Sequence, residues 1–362
     1  MAKKTKTGPN KILFTGGGSG GHVTLNLSLI PVFIQKGWKV VYIGSKTGIE
    51  RELVCKISGV RYYAIETGKL RRYLSIENLK DMFKVPVGIW QATKIISEEK
   101  PDIIFSKGGF VSLPVVLGGF LNFRKIFMHE SDVTPGLANK ISFPFVHKFF
   151  TTFPETKNYV FNRKKVEYVG PIISDRLYNG NKARALEMLD FNNEKPIIMF
   201  VGGSLGAKSM NRAVEKYIEQ LLTKYQVIHI CGKGQRSLIM AEGYRHFEFV
   251  DAELKDFMAA ADVVISRSGS NAIFELWSLA KPMLLVPLPS TSSRGEQSLN
   301  AKSFAKQGFA EVIRDEDLEK SDLLIKAIDK VYENRAEMIE KMRKSDLKHT
   351  TALELYEEIV NG

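Results

Sequence analysis

The segment Ser266-Arg267-Ser268-Gly269-Ser270-Asn271-Ala272-Ile273-Phe274-Glu275 sets a glycine turn between an apolar run and a helical pattern, with a carboxylate within the first two helical turns. A helix N-terminus offers unpaired N–H donors and the positive end of its dipole, which suits a diphosphate. A carboxylate reaching back toward that end can accept two hydrogen bonds from a ribose diol. Ser268, Gly269, Ser270 and Glu275 are therefore expected at a nucleotide site; otherwise Glu275 is a solvated helix residue. Downstream, Arg294-Gly295-Glu296-Gln297-Ser298-Leu299-Asn300 brings together polar groups suited to sugar hydroxyls. For proton transfer the candidate base is His22, which ends the run Gly16-Gly17-Gly18-Ser19-Gly20-Gly21-His22. The helix start there disfavours imidazolium and leaves a neutral ring able to take a proton near neutral pH. Its other role is a hydrogen bond to a diphosphate or to the loop backbone. His129, Glu130 and Asp132 cluster after another strand. Asp132 is the alternative base, although such a cluster is more commonly a structural hydrogen-bond set.

The elements that must position these groups are strand, glycine turn and helix, used twice. Lys11 to Thr15 runs into the first glycine loop, and Pro196 to Val201 runs into Gly202-Gly203-Ser204-Leu205-Gly206. This is the start of a Rossmann-like unit in each half, so the fold expected is α/β with parallel sheets, and two halves facing across a cleft imply two substrates. Strands are expected at 11–15, 39–43, 102–106, 125–129, 148–152 and 166–169, then at 196–201, 226–231, 247–250, 262–266 and 283–287. The first domain is placed at 1–168 and the second at 169–344, with a hinge at Gly170-Pro171 and a helix from about 345 to 362 returning to the first domain. A further glycine turn, Ser106-Lys107-Gly108-Gly109-Phe110-Val111-Ser112, follows a third strand. Gly16, Gly18 and Gly21 also satisfy G-x-G-x-x-G, but a dinucleotide site needs an acidic residue at the end of the second strand. That strand ends Val41-Tyr42-Ile43-Gly44-Ser45-Lys46, which speaks against a nicotinamide cofactor.

A net charge of +12 points to an anionic partner. No nucleic-acid recognition motif is present, which leaves a membrane surface or a nucleotide. No apolar run approaches the roughly 18 residues of a spanning helix, and the basic N-terminus lacks the apolar core of an export signal. Cys55 and Cys231 are far apart and are expected to be buried structural residues. The lone Asp-x-Asp, Asp315-Glu316-Asp317, falls at a helix start where carboxylates serve as caps. With loop amides and helix ends to stabilise a leaving diphosphate, the chemistry needs neither metal nor cofactor. Between Leu70 and Lys94, apolar Leu79, Phe83 and Trp90 alternate with Lys80 and Lys84 more densely than core packing explains, which suggests a face lying on anionic lipid.

Taken together, the three glycine loops, Ser266 to Glu275, and the Gln297 and Asn300 cluster resemble the MurG family over nearly the whole chain. That family comprises the peptidoglycan N-acetylglucosaminyltransferases that convert lipid I into lipid II. The resemblance implies a GT-B fold, UDP-N-acetylglucosamine as donor, lipid I as acceptor, inversion at the anomeric carbon and a peripheral seat on the cytoplasmic face of the cell membrane. It further implies that Gly203, Ser204 and Leu205 join the donor site, that Glu275 binds ribose, that Phe249 and Val250 contact uracil, and that Glu296 and Gln297 read the sugar. By the same resemblance Gly17, Gly18, Ser19, Gly20, Gly21, Gly108, Gly109 and Phe110 face the acceptor and its diphosphate. The chain departs from the family pattern at Thr24-Leu25, Phe110, Leu113, Ser131-Asp132 and Ser174, mostly in the acceptor half. Other classes sharing the architecture are a glycolipid synthase using diacylglycerol, a UDP-sugar 2-epimerase and a non-catalytic UDP-sugar sensor.

Overall fold

The computed structural model describes residues 10–68, 76–173, 177–203, 207–289, 294–320 and 322–362, the side chains of 76–83 excepted. Two compact units emerge: the chain up to Ile172 together with Lys348–Gly362, and Ile173–Leu347. Gly170 and Pro171 thus stay with the first unit, and the chain enters the second just after them.

In the first unit the strands are β1 (Lys11–Thr15), β2 (Lys39–Ser45), β3 (Val60–Ile65), β4 (Ile103–Ser106), β5 (Lys125–Glu130), β6 (Lys148–Thr151) and β7 (Val166–Tyr168). They form one parallel sheet in the order β3-β2-β1-β4-β5-β6-β7. In the second the strands are β8 (Ile197–Val201), β9 (Gln226–Ile230), β10 (Tyr244–Phe247), β11 (Val263–Ser266), β12 (Met283–Leu285) and β13 (Ala310–Val312), parallel in the order β10-β9-β8-β11-β12-β13. Central strands such as β1 and β4 carry unbroken apolar stretches, Ile12 to Phe14 and Ile103 to Phe105, because helices cover both faces of a parallel sheet. Strand order reverses between β1 and β4 in one unit and between β8 and β11 in the other. Ligands of such sheets sit at the carboxyl ends of the strands flanking that reversal.

Two strands escape sequence reasoning and one is displaced. β3 lies at the sheet edge and only Ile65 is fully buried, so its Arg and Tyr residues break any apolar run. β13 is a three-residue edge strand. β10 ends at Phe247, so Phe249 and Val250 lie in the loop after it. Cys55 is exposed at the end of the helix Ile49–Val54, correcting its expected burial, whereas Cys231 is buried.

The core of the first unit is built from aromatic side chains. Phe14 packs edge-on against Phe33 and Phe105, and Phe127 stacks on Phe150. Leu355 and Ile359, from the helix Ala352–Asn361, belong to the same cluster. That helix is fastened by Tyr356, whose ring meets Phe33 at 4.7 Å and whose hydroxyl accepts from Trp38 Nε1 at 3.2 Å. Thr351 and Glu354 form a reciprocal capping box at its start.

Candidate active site

Thr15 and Ser106 pair side by side at the ends of β1 and β4, so the first and second glycine loops leave the sheet together. The Gly17 N–H donates to Gly108 O at 3.4 Å. A Cβ on Gly109 would lie 2.2 Å from Gly17 O and 3.2 Å from His22 Cδ2, and one on Gly18 would lie 2.2 Å from the Phe110 ring. Only glycine permits that approach, and both residues also hold positive φ. The structure therefore gathers Gly17, Gly18, His22, Gly108, Gly109 and Phe110, with His22 half-buried at the end of a short turn, Gly20–His22. Ser19, Gly20 and Gly21 lie on the exposed side, and a Cβ on either of the two glycines would meet nothing.

Side chains distant in sequence hold this crossing from below. Tyr42 donates its hydroxyl to Gly16 O at 2.6 Å, and Asn26 Nδ2 donates to Thr15 O at 3.2 Å. Glu50 is fully buried; it accepts from the Gly18 N–H at 3.2 Å and from the Ser45 N–H at 3.0 Å, and also from the Ser45 hydroxyl. The Gly17 and Gly18 amides are thus turned inward, onto Gly108 O and the Glu50 carboxylate.

Behind the second loop, Glu130 is buried and accepts from the Ser131, Asp132 and Gly136 N–H groups and from Asn139 Nδ2. It shapes the turn that carries Asp132, which stays half-buried. Lys107 and His129 are buried beside it with Lys107 Nζ 3.0 Å from His129 Nδ1. Burial pushes the Lys107 ammonium down to about 8, against the opposing pull of Glu130 and Asp132. Burial, and then the Lys107 charge, push His129 well below the usual imidazole range, so it is neutral at physiological pH.

In the second unit Val201 pairs with Ser266, which brings Gly202-Gly203 beside the turn Arg267 to Ser270. Ser204 and Leu205 lie outside the described residues. Ser268 is fully buried; its hydroxyl donates to Gln297 O at 2.9 Å, and its carbonyl accepts from Asn300 Nδ2 at 3.2 Å. Gln297 Oε1 accepts the Leu288 N–H at 3.1 Å. Asn300 is fully buried, and its amide holds the turn. Glu275 is half-buried in the helix Ser270–Ser278, and Glu296 opens the helix Glu296–Lys306 with Arg294 Nε 3.8 Å away. Phe249 is 71% exposed.

Arg267 donates to the Asp315 carboxylate and, at 2.8 Å, to Ser209 Oγ, while Ser209 Oγ donates to Asp315 Oδ1 at 2.6 Å. Asp317 pairs with Arg314 and Lys320. These carboxylates are therefore ion-pair partners and make no side-chain cap, contrary to the sequence expectation. Among the described residues no three His, Cys, Asp or Glu side chains converge as a metal site.

Residues 12–151 match the glycosyltransferase family 28 N-terminal domain, and residues 197–358 match its C-terminal domain. The chain is 51% identical to a "UDP-N-acetylglucosamine--N-acetylmuramyl-(pentapeptide) pyrophosphoryl-undecaprenol N-acetylglucosamine transferase" of Geobacillus kaustophilus, over 92% of this chain and 94% of that one. It is 50% identical to a protein of the same description from Clostridium tetani, over 94% of each. A crystal structure of Acinetobacter baumannii MurG superposes with a TM-score of 0.78, covering 98% of this chain and 100% of that one at 22% identity, a likeness of fold. Both family domains in tandem, with half of the residues identical across nine-tenths of the length, make this chain a member of glycosyltransferase family 28, within its MurG family of N-acetylglucosaminyltransferases.

Proposed function

We infer that the chain moves N-acetylglucosamine from UDP-N-acetylglucosamine to the muramyl sugar of undecaprenyl-linked lipid I, forming lipid II. The observation that carries this is 51% identity across 92% of the chain to a relative described by that reaction. The chain is accordingly an inverting glycosyltransferase of peptidoglycan synthesis, and the roles of its residues follow as our reading. In the second unit the N-terminus of the helix Ser270–Ser278 faces the UDP diphosphate, and Glu275 grips the ribose. Phe249, exposed beside β10, offers its face to uracil, while Glu296 and Gln297 read the sugar. In the first unit the glycine turns around His22 receive the acceptor, and His22 takes the proton of the attacking O4 hydroxyl, with Asp132 as the second candidate. UDP leaves with its charge met by oriented dipoles.

The lipid tail of the acceptor asks for a membrane-facing surface. Among the described residues no helix is long and apolar enough to cross a bilayer. On the helix Ile76–Glu99, Val87 and Trp90 are exposed, as is Lys84, and Lys94 Nζ sits 5.9 Å over the Trp90 ring. Phe120, Leu121 and Phe123 add exposed apolar area, while Leu79, Lys80 and Phe83 have side chains outside those described. An apolar face with basic neighbours suits the anionic cytoplasmic leaflet, where each nearby Lys or Arg contributes on the order of 1 kcal/mol. The decisive experiment is UDP release: lipid I should support it, while diacylglycerol or no acceptor should not. Release with diacylglycerol would make the chain a glycolipid synthase, release without acceptor would point to epimerase or hydrolase chemistry, and none at all would leave a sensor.

A further inference from the structure

Lys107 stands where β4 gives way to the second glycine turn and is only 2% exposed. Its Cβ lies 2.9 Å from where a Cβ on Gly16 would be, so it sits at the root of the first glycine loop as well. The side chain reaches the carboxyl end of β5, where the ammonium lies 3.0 Å from His129 Nδ1 and donates to Ser131 Oγ. A neutral His129 that accepts at Nδ1 carries its proton on Nε2, which faces Thr152 Oγ1 at 3.4 Å. An ammonium has three donors, and both acceptors within reach among the described residues are neutral. Glu130 is already filled by the N–H groups of its own turn, and it reaches Lys107 only as a longer-range charge, as does Asp132.

A buried ammonium with no carboxylate bonded to it is costly, and an apolar side chain would fill the same space more favourably. A fixed cation becomes useful where an anion is to be bound. We propose that Lys107 is a positioning cation for the acceptor: rooted between the two glycine turns, it holds a positive charge at the end of β5 behind the second of them, complementary to a diphosphate, and orients Ser131 and neutral His129 there. This rests on reading the first unit as the acceptor half.

The charge is present below the Lys107 pKa, which burial lowers to about 8, and is lost as pH rises through that value. The titratable groups facing it are His129, Glu130 and Asp132, with His22 on the adjoining loop. Burial keeps His129 neutral through this range, and the carboxylates at Glu130 and Asp132 act to raise the Lys107 value. Acceptor kcat/KM, which reports the free enzyme, should therefore fall above about pH 8 in the parent protein.

The test measures acceptor kinetics with lipid I across pH, and UDP affinity by calorimetry, in the parent and in Lys107→Met. We expect the variant to raise the acceptor KM by about tenfold, to lack the alkaline fall and to bind UDP as the parent does. A folded variant with parental KM and the alkaline fall intact overturns the proposal. Should Lys107→Met not fold, Lys107→Gln and the parent decide, and a parent with no alkaline fall in acceptor kcat/KM overturns it equally. A variant that loses UDP affinity while its acceptor KM is unchanged overturns both the proposal and the acceptor reading beneath it.

Discussion

The two units share a strand order and bring their glycine turns together at the same reversal of the sheet, yet the ground beneath those turns differs in kind. In the first unit buried charges lie there: the Glu50 carboxylate on the Gly18 amide, the Lys107 ammonium against His129 at the end of β5, and Glu130 holding the next turn. In the second unit neutral groups tie Ser268 to the helix Glu296–Lys306, and the ion pair Arg267–Asp315 anchors the same turn. Topology decides where loops meet; the side chains beneath decide which backbone donors remain for a ligand and what field it enters. A turn braced by neutral groups and by a guanidinium already paired with a carboxylate leaves the helix N-terminus as the main positive pole for a diphosphate. One braced by a carboxylate needs a cation nearby to remain hospitable to an anion, and Lys107 fills that need.

The division of labour breaks most visibly at His22. If it takes the acceptor proton, His22→Ala should lower turnover by roughly a hundredfold to ten-thousandfold with UDP affinity unchanged. Turnover and calorimetry together decide this, because a variant that loses UDP binding would make His22 a phosphate ligand. The contrast in bracing should appear in stability. Glu50→Ala strands the Gly18 and Ser45 donors around a buried gap and should destabilise the first unit by about 2 to 4 kcal/mol, whereas Asn300→Ala in the second should lose about 1 to 2 kcal/mol. Denaturant titration would reverse the comparison if Asn300→Ala proved the worse. Next, Glu275→Ala should weaken UDP binding by about 1.5 to 3 kcal/mol for each charged hydrogen bond lost, and unchanged affinity would return Glu275 to the solvated helix surface. The smallest expected effect lies at the outer face. Trp90→Ser with Lys94→Ser should reduce sedimentation with anionic vesicles a few-fold, and added salt should release the parent. Leu238→Ser with Met240→Ser, at residues on the second unit even more exposed than Trp90, should leave sedimentation as it was.

Sequence alone reveals the strand and glycine-turn starts because Ile12 to Phe14 and Ile197 to Val201 are unbroken apolar runs that give way within two residues to glycine. Edge strands β3 and β13 are hidden by their short length or one-sided burial, which leave no run to see. The braces are hidden for another reason, since each joins residues far apart: Glu50 and Gly18 are separated by 32 positions, Lys107 and His129 by 22, and Arg267 and Asp315 by 48. Asp315 reads as a cap because capping is local and visible, whereas its partner Arg267 lies on another strand end. Asn300, read from its polar neighbours as part of a sugar-facing cluster, also clamps the Ser268 turn from a buried position, because burial cannot be inferred from a polar residue's type.

The helix Ala352–Asn361 completes the aromatic core of the first unit although all of Ile173–Leu347 lies between it and β7. As the chain leaves the ribosome, the first sheet must wait, with Phe33 and Trp38 lacking Tyr356, until the whole of the second unit has been synthesised. The second unit is contiguous and can close while translation continues, so, on our reading of it as the donor half, the order of synthesis favours a nascent chain in which UDP binding matures before acceptor binding.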